Sequence, residues 1–255
     1  MKLALIQTSL SWENPSENRV SLQEKITSVS QYVDLIVLPE MFTSGFTMNP
    51  EKVAETMQGE TITWLKEIAR SKNCAIAGSL VVQENRNYYN RLVFVFPSGE
   101  IQHYDKKHLF TLAGEDKIYT SGTEKLIVNY KGFKICPLIC YDLRFPVFSC
   151  NVEDYDLLIY VANWPKPRIN AWDILLKARA VENMSYVIGV NRVGTDDNNH
   201  EYVGHSQAVD FLGNCLQEPH ENEKVFIVEL DKEALLLTRK KLAFLNDIDT
   251  FEIKN

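Results

Sequence analysis

The chain has 255 residues, of which 45% are hydrophobic and 24% charged. Lys and Arg number 27 against 34 Asp and Glu, a net charge of -7. This balance excludes disorder, collagen and coiled coil, and it offers no basic footprint for a nucleic-acid backbone. At this length roughly 73% of the unfolded surface is buried on folding, so a core forms without disulfides or structural metals. The first residues, MKLALIQTSLSWENP, carry one Lys, a short apolar run and no small-residue cleavage site, so no export signal is read there. No stretch approaches ~18 uninterrupted apolar residues, and no membrane span is expected. The cysteines are Cys74, Cys136, Cys140, Cys150 and Cys215. Their odd number and the lack of a CxxC predict free thiols in a reducing cytoplasm. Cys136 and Cys140 on one strand would lie roughly 13 Å apart, beyond disulfide reach. Without repeats, low-complexity runs or a linker, residues 1–255 read as a single domain.

Taken in order, short apolar runs bounded by Gly, Pro, Asn or Asp predict buried strands. They are Lys2–Thr8, Leu35–Leu38, Ala75–Val82, Arg91–Phe96, Phe133–Ile139, Leu157–Val161, Tyr186–Asn191, Gln207–Asp210 and Val225–Glu229. Asn14-Pro15-Ser16-Glu17 has the form of a helix start. Leu22, Ile26, Val29 and Val33 follow at helical spacing and give one apolar face. Trp64, Leu65, Ile68 and Ala69 mark a second helix. Trp172, Leu175, Leu176, Ala180 and Met184 mark a third, and Asp231–Leu236 a short fourth. Strands alternating with helices predict an α/β protein. GSLVVQENRNYYNRLVFVFPSGE reads instead as a hairpin or meander, so the sheet is expected to be mixed.

Three segments carry reactive side chains where ligands bind in such proteins, beyond strand ends. DLIVLPE ends at Glu40, FKICPLIC ends at Cys140, and YDKKHLF presents Lys106 before a turn. Taken singly, each has a plain structural reading: a buried thiol, a solvated carboxylate, a surface lysine. Together they have a chemical use. A thiol is only a few per cent ionised near neutrality and needs a base. A glutamate can take that proton and pass it to a leaving amine. A lysine ammonium can stabilise a tetrahedral oxyanion, as can the backbone N–H after the thiol if the strand ends in a sharp turn. His103 and His108, five residues apart, match no metal-ligand motif, and no metal is expected.

At these residues the chain resembles the nitrilase superfamily of carbon–nitrogen hydrolases, along nearly its whole length. DLIVLPEMFTSGF is similar to the glutamate motif and implies Glu40 as general base. YDKKHLF is similar to Y-x-K-x-H-L-F and implies Lys106, not Lys107, as the lysine. ICYDLRFP is similar to the nucleophile motif and implies Cys140 as nucleophile, with the Tyr141 N–H sharing the oxyanion. AGEDKIYTSG sets Glu115 seven residues before Gly122, like the superfamily's second glutamate, which positions the lysine and substrate. The flanking residues differ from that pattern. The resemblance implies a four-layer αββα sandwich of two mixed sheets flanked by helices, no metal or organic cofactor, and a homodimer or higher homo-oligomer. The stretch from Trp172 to Met184 is equally readable as interface or core.

YDKKHLF, CYDLRFPVF, ANWPKPRINAWDILLKARAVEN and YVIGVNRVG resemble the omega-amidase-like branch. That implies a small-molecule partner: the terminal amide of 2-oxoglutaramate or 2-oxosuccinamate. Its carboxylate calls for a cation, with Arg144, Lys166 and Arg168 as candidates. Phe42, Tyr141 and Trp164 are candidate apolar walls. Three alternatives stand beside this reading. One is an N-carbamoyl amino acid or aliphatic amide hydrolase with the same catalytic set. Another is a thiol hydrolase using His108 or His205 as base. The last is an inactive binding module. The roles of Cys136, Cys150 and Cys215 default to buried spectators.

Overall fold

In the computed structural model, which describes residues 1–253, two six-stranded mixed sheets pack face to face with helices outside. The strands are β1 (Lys2–Gln7), β2 (Leu35–Val37), β3 (Ala75–Glu84), β4 (Asn87–Val95), β5 (Ile101–Asp105), β6 (Val128–Tyr130), β7 (Phe133–Ile139), β8 (Leu157–Ala162), β9 (Tyr186–Asn191), β10 (Val193–Thr195), β11 (Glu201–Val203), β12 (Gln207–Val209), β13 (Cys215–Gln217) and β14 (Lys224–Glu229). The helices are α1 (Pro15–Ser28), α2 (Pro50–Val53), α3 (Glu60–Lys72), α4 (Pro146–Ser149), α5 (Ile169–Glu182) and α6 (Lys232–Leu242).

The first sheet runs β14-β1-β2-β3-β4-β5 and the second β6-β7-β8-β9-β12-β13. Read in those directions, successive pairs are antiparallel, parallel, parallel, antiparallel, antiparallel in both. The two halves thus share one pairing plan, although the sequence shows no repeat. The layering follows from strand alternation. Leu3, Leu5, Leu35, Val37, Ala75 and Ala77 join the second sheet in the central core. Their neighbours Ala4, Ile6, Ile36 and Ile76 pack outward on Leu22 and Ile26 of α1 and Leu65 and Ile68 of α3. β9 is buried throughout, and α5 covers its outer face with Trp172 and Leu176. Gly189 permits that contact: a Cβ there would lie 2.5 Å from Leu176 and 2.6 Å from Trp172.

Local signals are realised at several ends. Asn14 caps α1, its Oδ1 accepting the Glu17 N–H at 3.3 Å while its Nδ2 donates to Glu17 at 2.8 Å. β3 and β4 form the expected hairpin, turning through Asn85 and Arg86, both at positive φ. Two helical runs stop early. α1 ends at Ser28, so Val29 and Val33 reach the core from the following loop. α5 ends at Glu182, and Met184 sits beyond it at φ 42°. Trp172, Leu176, Ala180 and Met184 are buried, which makes that stripe core. All five cysteines are free.

Candidate active site

The carboxyl ends of the parallel strands open on one edge of the sandwich, and the reactive residues gather there. Cys140 follows β7 directly and opens a short 3₁₀ turn, Cys140–Arg144, at φ 45°. A non-glycine residue in the left-handed region is costly and held only by its surroundings. Here the turn is tied back by Asp142, whose Oδ2 accepts the Ile139 N–H at 2.9 Å. The effect is an abrupt strand-to-turn corner that places the thiol at the mouth of the sheet. Tyr141 is the second residue of that turn, where N–H groups have no intrahelical acceptor.

Glu40 lies three residues beyond β2 and is fully buried. Its Oε1 accepts from Lys106 Nζ at 2.9 Å and Asn90 Nδ2 at 2.8 Å, and its Oε2 from the Asn163 N–H at 2.8 Å. Lys106 follows β5, and its ammonium also donates to both oxygens of Glu115, at 3.0 and 2.9 Å. Glu115 opens a 3₁₀ turn after Gly114 and accepts the Phe110 N–H at 2.6 Å. Gly122 closes the same segment: its N–H donates to the Lys106 carbonyl at 2.9 Å, and a Cβ there would sit 2.1 Å from the Asp105 carbonyl oxygen. The glycine at position 122 therefore has a steric cause. The Glu40 carboxylate lies beside the Cys140 thiol, close enough for its charge to act on it.

The electrostatics follow from two carboxylates and one lysine out of water. Burial opposes the Lys106 charge, but Glu115 and Glu40 outweigh it and hold the ammonium well above its ordinary range. Burial raises the Glu115 carboxyl, with Glu40 adding to the effect and Lys106 opposing it. Burial, then the Glu40 charge, pushes the Cys140 thiol far up. The resting thiol is therefore protonated, with the Glu40 carboxylate beside it. Proton transfer at the moment of attack, not a standing thiolate, is what this arrangement can deliver.

Cys140 and Lys106 open into a cleft of about 440 Å³. Tyr141, Arg144 and Trp164 line it, as the sequence reading expected. Phe42 does not: it is fully buried beneath the site, against Trp64 and over Gly78. The φ 42° turn at Met41 directs Glu40 and Phe42 differently, and the aromatic wall comes from Phe46 and Phe110 instead. Lys166 is also displaced from the expected role, being paired with Glu201 at 2.8 Å. Arg144 lies over the Trp164 ring and Arg168 over the Phe110 ring, each at 5.0 Å. Neither arginine has a carboxylate partner among the described residues. His108 and His205 are engaged by Asp142 and Asp173, at 2.8 and 2.9 Å, whereas Glu40 is the carboxylate whose charge acts on the thiol.

Several residues of the site escaped the sequence reading. Asn90 bridges Glu40 and Glu115 from the middle of β4, oriented by Ser79 Oγ at 2.8 Å. The signal was a buried-strand asparagine with no turn to explain it. Asn163, straight after β8, holds Glu40 through its N–H and through Nδ2 on the Glu40 carbonyl. The β10–β11 hairpin supplies Asp196, Asn198, His200 and Tyr202 to the rim. Asp196 gathers that rim, accepting the Asn198 and His200 N–H groups at 2.9 Å and the Tyr202 hydroxyl at 2.8 Å.

Comparison with known proteins agrees with this picture. The family model for carbon-nitrogen hydrolase matches residues 2–240. The chain is 42% identical to an omega-amidase YafV of Yersinia enterocolitica, with 98% of each covered. It is 33% identical to a 2-oxoglutaramate amidase of Bacillus subtilis, with 96% of each covered. Its fold superposes on the crystal structure of XC1258 from Xanthomonas campestris, a CN-hydrolase superfamily protein with an arsenic adduct in its active site. The TM-score is 0.97 at 40% identity, covering 100% of this chain and 99% of that one. The chain belongs to the carbon–nitrogen hydrolase family, the nitrilase superfamily.

Proposed function

We propose that the protein is an omega-amidase, hydrolysing the terminal amide of small keto-acid amides such as 2-oxoglutaramate and 2-oxosuccinamate through a cysteine thioester. One observation carries this reading: a buried thiol beside a buried carboxylate that also holds a lysine ammonium, opening into a cleft with two arginines that have no carboxylate partner among the described residues. The relatives in Yersinia enterocolitica and Bacillus subtilis support it by their activities.

In this mechanism the Cys140 proton passes to Glu40 as sulfur attacks the amide carbon. The carbonyl electron pair moves onto oxygen, where Lys106 and the Tyr141 N–H receive the charge. As the pair returns, the C–N bond breaks and nitrogen takes the proton from Glu40, leaving as ammonia. Water then gives a proton to Glu40 and attacks the thioester carbon. The C–S bond breaks, sulfur regains the proton, and the carboxylic acid departs. Glu115 keeps Lys106 in place throughout. Arg144 and Arg168 are assigned to the substrate carboxylate, matching its charge with planar donors. The cytoplasmic location and homodimer implied by the resemblance belong to the same reading; sedimentation of the purified protein tests the second.

The test is ammonia release from 2-oxoglutaramate and 2-oxosuccinamate by the wild type and Cys140→Ala. Release by the wild type alone supports the reading. Release by both, or by neither, contradicts it.

A further inference from the structure

Asn163 is 5% exposed and lines the cleft beside Glu40. Its amide orientation is fixed by chemistry, because Nδ2 donates to the Glu40 carbonyl oxygen at 2.6 Å. The other end, Oδ1, is buried and has no hydrogen-bond partner among the described residues. A buried acceptor left unpaired is costly, and such groups in folded proteins call for an explanation. The same residue's N–H holds Glu40 Oε2 at 2.8 Å. Thus Asn163 is bound to Glu40 at two points, once on the carboxylate that handles the reacting proton and once on the backbone carbonyl, and its side-chain oxygen is left as an unpaired acceptor among the described residues.

We propose that Asn163 Oδ1 accepts an N–H of the scissile amide, and that it thereby selects a nitrogen leaving group over an oxygen one. The inference rests on the proposed amidase mechanism. As the amide nitrogen is attacked it becomes pyramidal, and once protonated it carries more N–H donors than Glu40 can accept alone. An acceptor already in place strengthens its hold as positive charge builds on nitrogen, which is the condition for accelerating the step. An ester presents a lone pair at the same point. It gains nothing from Oδ1 and is repelled by it. Asn163 is in this sense a specificity residue for the chemistry of the bond, separate from the arginines that read the rest of the substrate.

The experiment compares kcat/KM for 2-oxoglutaramate with that for the corresponding methyl ester. The variants are Asn163→Leu and Asn163→Ala, which remove the acceptor, and Asn163→Asp, which keeps an acceptor while losing the donor to the Glu40 carbonyl. Two acceptor-free variants guard against one failing to fold. The amide-to-ester ratio should fall at least tenfold in Leu and Ala, the lower end for a hydrogen bond to a charged group. In Asp it should stay within about threefold of the wild type, on the same scale. An unchanged ratio in Leu and Ala would overturn the proposal. So would an equal fall in all three, which would make Asn163 a support for Glu40 only. Butyramide and methyl butyrate are run in parallel. A wild type active on butyramide alone contradicts the keto-acid reading and leaves the Asn163 ratio measurable on that pair.

Discussion

The Asp142 carboxylate holds His108 at two points, its backbone N–H at 3.0 Å and its Nδ1 at 2.8 Å, both on Oδ1. Its Oδ2 meanwhile takes the Ile139 N–H at 2.9 Å and the Tyr104 hydroxyl at 2.8 Å. One buried side chain thus fastens the segment that carries Lys106 to the corner that carries Cys140. His108 is stacked on Phe145 at 3.9 Å, which packs the joint from outside. Asp142→Asn puts an amide N–H against donors on one side or the other. Unfolding in urea should show a loss of about 1–3 kcal/mol for that mismatch. Because the two segments then register loosely, kcat should fall at least about tenfold with KM little changed. Wild-type stability and kcat in this variant would contradict the joint.

Lys106 neutralises two fully buried carboxylates, so its removal acts on stability as well as rate. Lys106→Met should lower turnover by about 10²-fold or more through loss of oxyanion stabilisation. At neutral pH it should also cost about 3–5 kcal/mol, the range for breaking a buried pair. The Glu115 carboxyl is already held above its ordinary range by burial, and without the opposing ammonium it rises further. Folding then takes up protons, and stability increases as pH falls. The deficit against wild type should therefore shrink between pH 8 and pH 5. Adding Glu115→Gln to Lys106→Met should recover part of it at pH 8. A deficit that is constant with pH, measured by urea titration, would contradict this account.

Glu40→Gln separates thiol ionisation from activity. Burial, then the Glu40 charge, holds the Cys140 thiol far above its ordinary range. Removing the charge should move the alkylation profile of the thiol to lower pH, so iodoacetamide labels the variant faster at pH 8. Turnover should nonetheless fall by about 10²-fold or more, since no group remains to carry the proton to nitrogen. A profile that is unmoved or shifted to higher pH would refute the contact between the two groups.

Among the described residues Arg144 has no carboxylate partner, and it faces the cleft from the nucleophile turn. Arg144→Ala should raise KM for 2-oxoglutaramate by about 10- to 100-fold, the worth of a charge-assisted hydrogen bond. Turnover of butyramide, which has no carboxylate, should hold within about threefold on the same argument. Equal losses on both substrates would place Arg144 in the structure of the turn and remove it from recognition.

The legible parts of this protein are those encoded locally. Asn14, the β3–β4 hairpin and the strand Phe133–Ile139 are set by neighbours in sequence, and each was readable. Glu40 and Cys140 stood out because each ends an apolar run, whereas Lys106 was picked out by the YDKKHLF segment and Glu115 by the family resemblance alone. Tertiary context hid the rest. β6, β10, β11 and β13 have three residues each, too few for a periodicity to register. Val29 and Val33 keep helical spacing after α1 has ended, since burial alone does not mark a helix stop. Phe42 and Phe46 look alike in sequence, yet the fold sends one to the core and the other to the cleft, with the positive-φ turn at Gly45 between them. Asn90 and Asn163 act through partners 50 and 123 residues away, a distance no local pattern spans.

The central claim is a covalent thioester on Cys140, and intact-protein mass spectrometry tests it most directly. Wild type is mixed with 2-oxoglutaramate and quenched in acid during turnover, beside Cys140→Ala. The account predicts an acyl adduct equal to the substrate less ammonia, mapped to Cys140 by peptide analysis and absent from the variant. An adduct on another residue, or ammonia release by Cys140→Ala at the wild-type rate, would contradict it.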